Sequence, residues 1–228
     1  MVVLAGGDNS RMEGLRGTIY KAFLPIHGLS CIGRHVIRAA AYGIGRVDVI
    51  VDSYDPALDV LARPPLASSG VVPTPPEVRL LVHGGTPGEK IAWWHADNEN
   101  QVRTLVVFGD TLAPVDLARL WDSSLVAGAD SSVAVADVKL PFGVVEVTED
   151  VVRRFLDNPR TGLLVSTGYM ALGPQAVRAM RAGTDLNPTL ERLAAVGSLR
   201  AVTCEGPFAA VDSLGSLAIA HDTLRDPC

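Results

Sequence analysis

The chain has 228 residues, 48% of them hydrophobic and 5% aromatic, with a formal net charge of −5. The length allows one large domain or two small ones, and an aliphatic core suits layered α/β structure. The acidic balance argues against a nucleic-acid coat or binding to an anionic membrane surface, and says nothing against a small local basic pocket. No apolar run approaches the ~20 residues of a membrane span.

In chain order, "VVLAGG" (2–7), "VDVIVDS" (47–53), "VRLLVH" (78–83) and "TLVVFGD" (104–110) read as short buried strands. Segments 30–43, 56–62, 88–98 and 114–126 between or after them carry helical spacing, with Pro114 suited to a first helical turn. This alternation predicts a single Rossmann-like α/β domain whose mixed, mainly parallel sheet carries helices on both faces. "RPPLASSGVVPTPPE" (63–77) reads as a proline-rich surface excursion. Beyond residue 130, strands at 131–138, 143–147, 161–173 and 199–204 and helices at 174–182, 187–196 and 213–223 suggest antiparallel additions to the same sheet. The change of pattern divides the expected domain into halves over about 1–130 and about 131–228. Cys31, Cys204 and Cys228 show no metal spacing and read as reduced thiols in a cytoplasmic protein.

The first strand runs into "GGDNSRM". Gly6 and Gly7 at the carboxyl end of a strand let backbone amides approach a ligand, and phosphate is the natural guest. Asn9 tolerates left-handed backbone, Arg11 offers a bidentate fork and Lys21 a compact charge. A tight turn with two solvated cations fits the same residues. The dinucleotide pattern G-x-G-x-x-G is absent, and Asp52 stands about 45 residues after the glycines where ~20 is expected. The Gly-Lys-Ser/Thr phosphate loop is absent too.

"LAGGDNSRM" followed by "KAFLPIHG" resembles the amino-terminal signature of the nucleotidyltransferases that make NDP-sugars and related activated metabolites. Leu4, Ala5, Gly6, Gly7, Arg11, Lys21, Pro25 and Ile26 match, and Asn9 replaces the second family glycine. The resemblance implies that Leu4, Ala5, Gly6, Gly7, Asn9 and Ser10 bind the nucleotide, while Arg11 and Lys21 act on the α- and β-phosphates. In "GGTPGEKIAWW" (84–94), Gly88 stands at the family's base-contacting glycine. Lys90, one turn into the next helix, either reaches phosphate or stays solvated.

Asp110 closes a buried strand at the sheet's ligand edge, where a metal ligand, a helix cap or a strand-end turn would each suit it. The resemblance of "GDT" and of "AAVDSLGSLAIAH" (209–221) to the family's two metal sites implies that Asp110 and Asp212 hold magnesium. "FGVVEV" (142–147), "FLDNP" (155–159) and "STGYMAL" (166–172) resemble acceptor-pocket segments, which implies roles for Gly143, Asn158, Ser166, Thr167 and Gly168 and makes about 1–130 the nucleotide-binding half and about 131–228 the acceptor-binding half. Asn158 replaces a family lysine that grips sugar 1-phosphate, and Ser166 replaces an asparagine. Lys139, Arg153 and Arg160 are the alternative cations.

Compact relatives activate choline phosphate or phosphonates with CTP. The expected reaction is therefore CMP transfer from CTP to a small phosphate or phosphonate, as in phosphonate or antibiotic biosynthesis, with release of pyrophosphate. An NDP-sugar synthase using UTP or dTTP is the alternative, and a non-catalytic nucleotide-binding regulatory module is the reading from another class. A homo-oligomer or a fusion to another enzyme domain is compatible with this; nucleic-acid and membrane partners are not expected. Asp116, Asp122, Asp137, Glu146, Glu149 and Asp150 are expected in polar turns or on exposed helix positions, His35 and His95 on helix surfaces, and His27 in a turn. The Trp93-Trp94 pair is expected to pack helix 88–98 on the sheet, a base-stacking edge being the other reading.

Overall fold

Strand β1 (Val2–Leu4) carries no polar side chain and is buried on both faces, as a strand must be when helices cover both sides of its sheet. The computed structural model describes residues 1–6, 20–63, 74–99, 102–140 and 142–223. A 3-10 turn (Lys21–Phe23) and a hairpin of β2 (Pro25–Ile26) and β3 (Leu29–Ser30) lead into α1 (Cys31–Ala41). Then follow β4 (Arg46–Val51), α2 (Pro56–Ala62), β5 (Glu77–Val82), α3 (Pro87–Asp97), β6 (Thr104–Phe108), β7 (Thr111–Leu112) and α4 (Leu117–Ser123). Next come β8 (Ser131–Lys139), β9 (Val144–Thr148), β10 (Val151–Leu156), β11 (Arg160–Leu172), α5 (Pro174–Arg181) and α6 (Leu186–Ala195). The described chain closes with β12 (Leu199–Thr203), β13 (Ala209–Ala210) and α7 (Leu214–Thr223).

Seven strands form one sheet in the order β12-β8-β11-β6-β1-β4-β5. β11 runs antiparallel to both of its neighbours, and the other described pairs in this sheet are parallel. The mixed, mostly parallel α/β sheet is thus as expected. Alternation along β1 sends Val2 and Leu4 to a cluster with Ile91, Trp94 and Met170, under α3, α5 and α6. It sends Val3 to the other face, against Phe23, Ile32, Val36 and Val49, under α1 and α2. Each such valine or leucine contributes about 1.5–3 kcal/mol by burial, which explains why the central strands tolerate no charge without a partner. Asp48 on β4 is the instructive case. Fully buried, it receives both Arg79 Nε (2.6 Å) and Nη2 (2.9 Å), and Trp94 Nε1 at 2.7 Å. Burial raises its carboxyl pKa, but the hydrogen bonds from Arg79 and Trp94 outweigh that and hold it below the ordinary value. Among the described residues, no helix is long and apolar enough to cross a membrane.

Several local expectations need correction. His35 and His95 are buried, not on helix surfaces. The first turns of α1 are enclosed on several sides, and His35 meets Tyr169 edge-on with ring centroids 5.6 Å apart. Burial, followed by repulsion from Arg38, pushes its imidazole pKa down to about 3. His95 Nε2 lies 3.1 Å from Thr104 Oγ1 on β6. Asp137 and Glu146 stand on strands β8 and β9, where each pairs with an arginine, Arg160 and Arg154. His27 does occupy a turn, with φ of 50°, and Asp116 caps α4 through Arg119 N–H. Trp94 packs α3 on the sheet, while Trp93 stacks on His83 with centroids 4.6 Å apart. Strand β10 was not anticipated, because "VVRRFL" shows neither clean alternation nor a continuous apolar run.

Candidate active site

The carboxyl ends of β1, β4 and β6 lie side by side, and each delivers a different group to the same edge. β1 ends at Gly6. Beyond β6, the Gly109 amide donates to the Leu4 carbonyl at 2.8 Å. An added Cβ at Gly109 would press on Ile32, Ala22 and Leu4 O at 3.0–3.1 Å, so glycine lets this turn lie against β1 without displacing them. Asp110 is thereby set beside the β1 exit.

Two-residue strands then bring in the distant partner. β7 pairs antiparallel with β13, matching Thr111 to Ala210 and Leu112 to Ala209. Continuing that register, Val211 N–H donates to the Asp110 carbonyl at 2.8 Å, which puts Asp212 next to Asp110. The Asp212 and Ser213 amides both donate to Ser216 Oγ at 2.8 Å, fixing the entry to α7. Lys21 completes the group. Its neighbours Ala22 and Phe23 are anchored in the core, and its ammonium pairs with Asp110 and, at 2.6 Å, with Asp212 Oδ1. Burial lowers the Lys21 pKa, but hydrogen bonds and charge from Asp110 and Asp212 outweigh it and leave the pKa raised.

A second charged pair lies on the β4 side of β1. Lys90, buried on α3, places Nζ 2.6 Å from Asp52 Oδ1, just past the end of β4. Both groups occupy the space that a Cβ on Gly6 would need. Lys90 is therefore not a solvated cation. Tyr20 ties the two sides together: the Ser53 amide donates to its hydroxyl at 2.7 Å, one residue before Lys21. Residue spacing concealed this arrangement; the available signal was that Asp52 and Lys90 both sit at the sheet's ligand edge.

Gly88 lies in the first turn of α3, which a Thr86–Glu89 capping box and Pro87 open. Its amide donates to Asp185 Oδ1 at 2.7 Å, and a Cβ there would strike the Asp185–Leu186 backbone. The glycine thus lets the start of α6 approach. Asp185, which also accepts from Leu186 N–H, was not anticipated as part of this region.

On the acceptor side, the register Tyr169↔Val107 carries the preceding residues of β11 past the end of β6 towards Asp110. Gly168, at φ 79°, fits closely against Thr111 Oγ1 and Phe108, and its amide donates to Ser166 Oγ at 3.3 Å. Ser166 is exposed. Thr167 is fully buried with its hydroxyl donating to the Ala134 carbonyl, so that side chain faces the core and not an acceptor. Gly143 lies under the Phe155 ring, and Asn158 is exposed in a left-handed turn at φ 46°. Gly7, Asn9, Ser10 and Arg11, and the side chain of Lys139, lie outside the described residues, as does most of the proline-rich stretch.

No cluster of three or more His, Cys, Asp or Glu side chains occurs among the described residues. Magnesium does not require one, since one or two carboxylates plus phosphate oxygens and water satisfy it. Asp110 and Asp212 converge on one cation, Lys21, so the donor set fits a magnesium ion completed by substrate oxygens.

Residues 1–209 match the family described as MobA-like NTP transferase domain. No curated protein matches the chain in sequence. Among solved structures it is similar to a protein from Bacillus anthracis, described as a glucose-1-phosphate thymidylyltransferase, solved with sucrose. The TM-score is 0.71 and the identity 16%, over 99% of this chain and 94% of that one. It is also similar to HddC from Yersinia pseudotuberculosis, with TM-score 0.66 and 17% identity over 97% of each chain. At such identities the likeness is one of fold.

Proposed function

The chain belongs to the MobA-like NTP transferase domain family, and from that premise we propose that it is a magnesium-dependent cytidylyltransferase. In this reading it transfers CMP from CTP to the phosphate or phosphonate of a small metabolite and releases pyrophosphate. The observation that carries it is the convergence of Asp110 and Asp212 on Lys21 beside the β1 exit. An acceptor oxyanion attacks the α-phosphorus in line, and pyrophosphate leaves. Such transfers rest on positioning and charge neutralisation more than on covalent participation by the protein. Asp110 and Asp212 would hold the magnesium, which supplies charge neutralisation at the phosphates when bound. Lys21, released from the carboxylates it now bridges, turns its ammonium to phosphate oxygens, and Arg11 complements it. Gly6 and the amides after it cradle the triphosphate. Ser166, Gly168, Gly143 and Asn158 border the acceptor.

CTP and a non-sugar acceptor are favoured by the resemblance to compact choline-phosphate and phosphonate enzymes and by Asn158 in place of the sugar-gripping lysine. The two buried free thiols, Cys31 and Cys204, suit a cytoplasmic setting. A second reading, sugar 1-phosphate with UTP or dTTP, draws support from the fold shared with the protein described as a glucose-1-phosphate thymidylyltransferase. Pyrophosphate release from each NTP with glucose 1-phosphate, choline phosphate and 2-hydroxyethylphosphonate separates them. CTP with one of the latter two should exceed every sugar combination by tenfold or more in kcat/KM, about 1.4 kcal/mol. Sugar combinations winning by that margin would establish the second reading. Nucleotide binding without pyrophosphate release under any combination would make the chain a regulatory module.

A further inference from the structure

A nucleotide whose phosphates lie at the β1 exit has two sides on which to place its nucleoside. In the sheet, β6 flanks β1 on one side and β4 on the other, with β11 beyond β6 and β5 beyond β4. The β6 side is taken by Lys21, Asp110 and Asp212, with β11 behind them. The nucleoside therefore extends over the end of β4 and the start of α3. The group waiting there is charged. Lys90, 5% exposed on α3, holds its ammonium 2.6 Å from Asp52 Oδ1. The ammonium and both carboxylate oxygens stand within 2.6 Å of where a Gly6 Cβ would be, so the pair flanks the first glycine of the nucleotide loop. A buried ion pair is weak evidence for a stabilising role, which points to a use at the ligand. Gly88, the position that the resemblance gives to the base, has its own amide donated to Asp185 Oδ1.

We propose that Asp52 and Lys90 read the base of the bound nucleotide. They present an acceptor and a donor side by side, the complement of a base's hydrogen-bonding edge. A ribose diol can donate both hydroxyls to a carboxylate and needs no ammonium beside it. The direction of the reading rests on the CTP assignment above: the cytosine N4 amino group donates to Asp52, and Lys90 donates to ring N3. An ammonium carries three donors and a carboxylate accepts several bonds, so each group can take this contact while keeping the other. Uracil reverses both positions, setting O4 against the carboxylate and N3–H against the ammonium. A site built from such groups rejects the wrong partner strongly, because its own polar atoms are then left unpaired.

Titration calorimetry of the full chain with CTP, UTP, ATP, GTP and dCTP, each with magnesium, tests this without an acceptor and therefore apart from turnover. The parent should bind CTP about a hundredfold or more tightly than UTP, with dCTP close to CTP. Asp52→Asn, whose amide can turn an N–H towards O4, should bring UTP within about tenfold of CTP. Lys90→Met should weaken CTP and erase most of the difference between the two. Equal weakening of CTP and UTP with the preference intact would overturn the proposal, as would a parent with no preference among bases. A collapse confined to the difference between CTP and dCTP would assign the pair to the sugar and overturn it too. A parent preferring another base, with that preference lost in both variants, would uphold the pair as the base reader and overturn the CTP assignment instead. If Lys90→Met fails to fold, the ratio of CTP to UTP affinity in Asp52→Asn decides alone.

Discussion

Lys21 bridges Asp110 and Asp212, with its ammonium 2.6 Å from Asp212 Oδ1 although 191 residues separate the two in sequence. Two carboxylates held this close repel each other unless a cation lies between them. Here that cation is the lysine, and in the proposed reaction magnesium and the lysine must share the place.

Replacing Asp110 by Asn removes a charge and almost no volume. The variant should keep its melting temperature within a few degrees and lose magnesium-dependent turnover by about a hundredfold or more. Asp212→Asn should lose turnover in parallel. Near-normal turnover of either at limiting magnesium would remove that residue from the metal site.

Lys21→Met should separate the lysine's two roles. Without the ammonium, the carboxylates are freed for a divalent ion, so manganese should bind the nucleotide-free protein about tenfold more tightly, by titration calorimetry. Turnover should nevertheless fall, because the positive charge at the phosphates is gone. Unchanged manganese affinity would show that the bridge does not compete with metal.

Lys90 and Asp52 offer a different contrast. Lys90→Met swaps one member of a buried pair for an apolar side chain, and Asp52 is exposed enough to regain water, so stability should change by no more than about 1 kcal/mol. Gly6→Ala should do more damage, since its methyl lands on both groups and the backbone of the β1 exit has to move. We expect thermal-shift titration to show nucleotide binding weakened about tenfold by Gly6→Ala. Normal binding would mean that the Lys90–Asp52 pair shifts without disturbing the site.

Asp48→Ala should destabilise the fold by about 2–3 kcal/mol in urea unfolding, with Trp94 Nε1–H left buried and unpaired. The figure stays below that for a fully buried pair because Arg79 is about a third exposed. A loss under 0.5 kcal/mol would mean that water replaces the carboxylate.

His35 predicts an acid-sensitive fold. An unfolded histidine takes up a proton near pH 6.5, while the folded one resists until about pH 3. Its contribution is therefore complete above pH 6.5 and is lost as pH falls through that window. The melting temperature should drop between pH 7 and pH 4, and His35→Phe should flatten that part of the curve. An unchanged slope would place the acid sensitivity elsewhere.

Aliphatic runs ended by glycine or a polar residue made β1, β4, β5 and β6 legible, because buried parallel strands need no tertiary information to look apolar. The reversed β11 was legible by its length, and Asp110 by its position at a strand end. What escaped depended on contacts between distant segments. The short pairs β2–β3 and β7–β13 are too brief to show a period, yet the second of them aligns Asp110 with Asp212. His35 looks like a polar helix position until Tyr169, 134 residues later, is seen to lie against it. The Lys90–Asp52 pair became visible only when α3 was placed over the end of β4.

The bridge from Lys21 to Asp212 also bears on synthesis. The chain emerges from the amino terminus during synthesis, at about 5–20 residues per second. Here strands β1, β4, β5 and β6 can pair once residue 108 is available, so the crevice takes shape in the first half. Its second carboxylate arrives only with β13, after the acceptor segments of β11 have been made. A nascent chain halted earlier could hold phosphates without the full set of charges needed to transfer them. In the proposed reaction, transfer therefore waits on the translation of Asp212.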